Sequence, residues 1–148
     1  MQLAAPQENA FQTAFRGYFT GVLSWSQLDE FWEVVRQRAS AGWYLYAVGE
    51  PVPTHPSGAD QVTAFIREID VLLHAEHRED YCGIVYTDSK TEPRFIKIFD
   101  PNNLGVSCGY SDNPPLPGWI MSLIPPQELG DRRLLPGNRR RWWQKLWS

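Results

Sequence analysis

Residues Asp60 to Phe99 read DQVTAFIREIDVLLHAEH, RED, YCGIVYT, DSKTEP and RFIKIF, and this stretch decides the fold. Up to His77 the apolar residues Val62, Phe65, Ile66, Ile69, Leu72 and Leu73 make one continuous stripe at helical spacing. From Tyr81 the pattern changes. Tyr81 to Thr87 and Arg94 to Phe99 are rich in β-branched and aromatic residues, and the polar turn formers Asp88 to Pro93 join them as a hairpin. The first of these strands is apolar nearly throughout, as a central strand is. A long amphipathic helix followed by adjacent strands points to a mainly antiparallel sheet with helices on one face.

Towards the N-terminus, Trp43 to Val48 reads as another strand, followed by the loop Gly49 to Gly58 with Pro51, Pro53 and Pro56. Ser26 can cap a helix that buries Leu28, Phe31, Trp32 and Val35, with Gly42 as its stop. Phe11, Ala14, Phe15, Tyr18, Phe19 and Val22 have the spacing of an amphipathic helix, which Gly17 and Gly21 weaken by about 1 kcal/mol each. Towards the C-terminus, Asp100 to Gly105 is a tight turn. Val106 to Tyr110 and Trp119 to Ile124 supply two further strands around the loop Ser111 to Gly118. The expectation is one α+β domain over residues 1–148, with four to five strands, two to three helices and a C-terminal helical segment.

That last segment, residues 138–148, stands apart. On a helix, Trp142, Trp143, Leu146 and Trp147 fall within an arc of roughly 140°. Arg140, Arg141, Gln144, Lys145 and Ser148 fall opposite, and only Arg139 breaks the pattern. Three tryptophans on one face need an apolar surface from the domain itself, a partner or a membrane. Trp and Arg are the residue types enriched at interface hot spots. Arg139, Arg140, Arg141, Trp142, Trp143 and Trp147 are therefore the candidate partner-binding residues.

Charge argues against a general nucleic-acid binder and permits the basic tail to lie against an acidic body. The formal net charge is -3, yet Glu128 to Ser148 holds six Arg or Lys against two acids, so the remainder carries -7. An acidic body is the wrong sign for nucleic acid. No basic, apolar leader opens the chain and no run reaches the roughly 18 apolar residues of a membrane span, so a cytoplasmic protein is expected. In that compartment Cys82 and Cys108 stay reduced.

Chemical motifs are few. Asp70, His74 and His77 lie at i, i+4 and i+7 on one flank of the long helix, a spacing that could hold zinc. A solvated helix end, with His74 near the negative pole of the dipole, outweighs that reading, so no metal is expected. Cys82 lies in an apolar strand and reads as a buried, inert thiol. No phosphate-binding, dinucleotide or hydrolase motif occurs, and no cofactor is expected. The sequence favours a non-catalytic interaction or accessory protein that docks another protein through its Arg/Trp tail and its proline-rich loops. One alternative is a small enzyme or ligand binder with a pocket between sheet and loops, where Asp70, His74, His77 and Cys82 come first. Another is peripheral membrane attachment through the tail helix. Oligomeric state is not set by the sequence.

Overall fold

A computed structural model describes residues 9–103, 116–129 and 137–147. Its elements run α1 (Ala10–Phe15), β1 (Thr20–Ser24), α2 (Trp25–Gln37), β2 (Tyr44–Ala47), α3 (Ala59–Glu76), β3 (Tyr81–Thr87), β4 (Phe95–Ile98), a 3-10 turn (Pro101–Asn103), β5 (Trp119–Ser122) and α4 (Gly137–Leu146). The five strands form one antiparallel sheet in the order β1-β3-β4-β5-β2. The architecture is α+β.

Local chemistry explains most boundaries. α3 begins where the Gln61 side chain accepts the N–H of Gly58, and Asp60 lies in its first turn, where the dipole favours an acid. Its stripe is buried as the periodicity requires, with Val62, Ile66, Ile69 and Leu73 fully enclosed. α2 begins at Ser24 rather than Ser26, because the Ser24 hydroxyl accepts the N–H of Gln27 at 3.1 Å. The hairpin turn is closed by Asp88, whose Oδ1 accepts the N–H groups of Arg94 and Phe95 at 3.0 and 3.1 Å.

The N-terminal helix is shorter than its periodicity suggests. It ends at Phe15, and Thr20 to Ser24 instead pairs with β3, setting Val22 opposite Val85. Tyr18, on the expected apolar stripe, is 98% exposed, whereas Val22 is fully buried. Edge pairing satisfies strand backbone groups and buries Val22 together, and a helix interrupted by Gly17 and Gly21 cannot match that. Further along the same pair, Gly83 takes φ +63° where the register shifts between Val22 and Ser24, a conformation other residues adopt at a cost.

Both faces of the sheet are covered, not one. Leu45, Ala47, Ile96, Ile98, Trp119 and Met121 meet the buried stripes of α2 and α3. The alternate residues Tyr46, Val48, Phe95 and Ile120 form a second cluster with Phe11 of α1. On this side the Lys97 ammonium donates to the Phe15 carbonyl at 2.7 Å and lies about 4 Å from the Phe15 and Phe19 ring centres, 3.9 and 4.0 Å respectively. Burial pushes its pKa down to about 8, while those rings and the carbonyl favour the charged form. The expected strand Val106–Tyr110 lies outside the described residues.

Candidate functional site

α4 lies on the protein's own helical side. Its inward residues are Arg139, Trp142, Trp143, Leu146 and Trp147, the i, i+3, i+4, i+7 and i+8 positions of one face. Trp142 touches Phe65 of α3 and Trp119 of β5, with ring centres at 6.3 and 5.5 Å. Trp143 meets Phe65 edge-on at 6.1 Å, and Trp147 meets Trp143 at 5.2 Å. Each of these tryptophans stays partly exposed, so the face they build is covered beneath and open above.

Arg139, the residue that broke the amphipathic pattern, sits at the buried end of this face, 4% exposed. Its Nε donates to Oδ2 of Asp100 at 2.9 Å and its Nη2 to Oδ1 of Asp100 at 3.0 Å, a two-bond fork. Nη1 pairs with Oε2 of Glu76. Asn102 completes the cluster, its backbone N–H bonding Asp100 Oδ1 at 2.9 Å and its side-chain amide bonding Glu76 Oε1 at 3.1 Å. Gly118 lets β5 start close by, since a Cβ there would stand 3.3 Å from the Asp100 Cβ. Burial alone would push the Arg139 guanidinium pKa down, but its bonds to Asp100 and Glu76 outweigh that and hold it upward. The Arg139 hydrogen bond in turn holds Glu76 below the ordinary carboxylate range.

The placement also resolves two unfavourable helix ends. Glu76 is the last residue of α3, where the dipole disfavours an acid, and Arg139 lies in the first turn of α4, where it disfavours a cation. Each compensates the other.

Arg140 points elsewhere. Its Nε donates to Glu50 Oε1 at 3.0 Å, linking α4 to the start of the proline-rich loop 49–58. Arg141 is exposed. Of the second loop, residues 111–115 lie outside the described residues. Leu116 packs against the α1-side cluster, and the Gly118 N–H bonds the Ile98 carbonyl at 2.9 Å.

Set beside protein families, curated proteins and solved structures, the chain matches none of them.

The candidate catalytic and metal-binding residues separate. Cys82 is fully buried in the main core, and burial pushes its thiol pKa up, the opposite of an activated nucleophile. Cys108 lies outside the described residues. His77, the C-cap of α3, lies beside Trp25 at 5.8 Å but outside the ligand group, and donates from Nε2 to the Tyr81 carbonyl at 3.1 Å. Asp70 and His74 stay together and are joined by Asp29 of α2, which brings one ligand atom of each within 4.8 Å of the others. Sequence spacing missed Asp29, Asp100 and Glu76. The signal for the last two was Arg139 itself, since a cation on an apolar face requires a buried carboxylate.

Proposed function

We propose that this protein is a cytoplasmic, non-catalytic accessory protein that binds another protein through the combined surface of α4 and the loop 49–58. The observation that carries this reading is the Arg140–Glu50 pair, which makes one continuous surface of the two elements singled out for docking. That surface offers the partly exposed edges of Trp142, Trp143 and Trp147, the exposed Arg141, and Pro51 and Pro56 on a loop stiffened by proline. Because Arg139 is consumed internally, it holds the platform while Arg141 and the tryptophan edges meet the partner. A surface with rigid anchors binds at lower entropic cost than a loose tail.

Peripheral membrane attachment is the lesser reading, since Trp142 and Trp143, two of the three rings that would enter lipid, already pack on Phe65 and Trp119. No helix among the described residues is long and apolar enough to cross a membrane.

Affinity capture with the full chain, compared with Arg141→Glu and Trp147→Ala, tests the proposal. A protein retained by the parent and lost by both variants, whose melting temperatures stay near the parent's, supports it. A partner held equally by all three moves the docking surface elsewhere. Salt-sensitive binding to anionic vesicles without a protein partner favours the membrane reading.

A further inference from the structure

Independently of the α4 surface, a second feature lies where α2 crosses α3. α2 presents Trp25, Asp29 and Trp32 at i, i+4 and i+7, and α3 presents Asp70 and His74 at i and i+4. Nε2 of His74 stands 3.5 Å from Oδ1 of Asp70. That is close to the ~3.4 Å ligand separation in a tetrahedron built on bonds of about 2.1 Å. Asp29 completes a group of three ligand atoms within 4.8 Å of one another, and its exposed side chain is free to close the remaining gap.

The surroundings are those of an oriented ligand set. Trp25 stacks on the His74 ring at 4.1 Å, and its own Nε1 is fixed by the Glu79 carbonyl at 3.0 Å. Trp32, 1% exposed, donates from Nε1 to Asp70 Oδ1 at 3.2 Å, a buried indole aimed at the ligand carboxylate. Outer donors of this kind orient metal ligands. Among the described residues neither Asp29 nor Asp70 has a lysine or arginine ion-pair partner. Two carboxylates and an imidazole thus face one point with no described lysine or arginine paired to them.

The geometry points to a divalent transition-metal site in which Asp29, Asp70 and His74 hold one ion, bracing α2 against α3. The imidazole selects a zinc-like ion over calcium or magnesium, which prefer all-oxygen shells. Three protein ligands leave a fourth position for water or an exchangeable ligand.

Zinc chloride titrated calorimetrically into the untagged, chelator-treated full chain tests this. The expected result is one equivalent bound, with affinity reduced at least about tenfold in His74→Ala and in Asp29→Asn and unchanged in His77→Ala. Zinc should also raise the melting temperature of the parent and of His77→Ala, but not of His74→Ala, because an ion bound only by the native state stabilises it. Asp29 and His74 are exposed, so both variants should melt like the parent without zinc. Absence of saturable binding, or binding that survives His74→Ala, overturns the site. Full affinity in Asp29→Asn overturns the bridge between the two helices.

Discussion

Arg139 holds its charge in a place where charge is costly, between Asp100 and Glu76 at 4% exposure. The bonds it makes offset its own desolvation and that of Asp100, which is 7% exposed. Arg139→Ala is therefore expected to cost about 3–5 kcal/mol, chiefly by leaving the Asp100 carboxylate buried and unpaired. Arg139→Lys should recover only part of this, because an ammonium cannot reproduce the fork. Denaturant titration at neutral pH measures both. Glu76 adds a pH signature. Its folded pKa is lowered, so its contribution is complete above the ordinary glutamate value of about 4.3 and lost as pH falls through the folded value. Parent stability should thus fall more steeply below about pH 4.3 than that of Glu76→Gln, which is weaker at neutral pH. Parallel acid profiles would mean that the Glu76–Arg139 bond contributes nothing in solution.

At the scale of the element, α4 is a poor helix by itself. Ten residues are below the length at which an isolated helix is stable in water, and its first turn carries a cation. Its order comes from Phe65, Trp119, Asp100 and Glu76. Removing residues 138–148 should consequently destabilise the rest by about 4 kcal/mol or more, by uncovering Phe65 and Trp119 and stranding Asp100. Hydrophobic dye binding should rise in the truncated protein. A truncation that melts like the parent and binds no more dye would show that α4 is loosely held, and would favour a tail that leaves the body to meet its partner. α1 obeys the same rule in reverse. Its periodicity ran on to Val22, but a sheet edge gave Thr20 to Ser24 a better use, and tertiary pairing overrode local spacing.

Across the whole molecule, the order β1-β3-β4-β5-β2 places β3, β4 and β5 inside the sheet and leaves β1 and β2 at its edges. Native-state hydrogen exchange should be slowest for the amides shared by β3, β4 and β5, with Ile96, Ile98 and Met121 among the last. β1 should open earliest of the strands, since it is an edge strand with an irregular register. Exchange that protects β1 as strongly as β4 would indicate that something covers this edge in solution. The sequence alone determined the α+β class, α3 and its buried stripe, the β3–β4 hairpin and the buried face of α2. These follow from apolar periodicity and turn chemistry, which act between residues close in the chain. It also marked the α4 tryptophans as needing cover and Arg139 as the exception among them. Only the tertiary structure decided what provides the cover. Arg139 meets Asp100 and Glu76, 39 and 63 positions away, and Asp29 reaches Asp70 and His74 from another helix. Such pairings depend on how elements cross in space, and no local pattern carries that information.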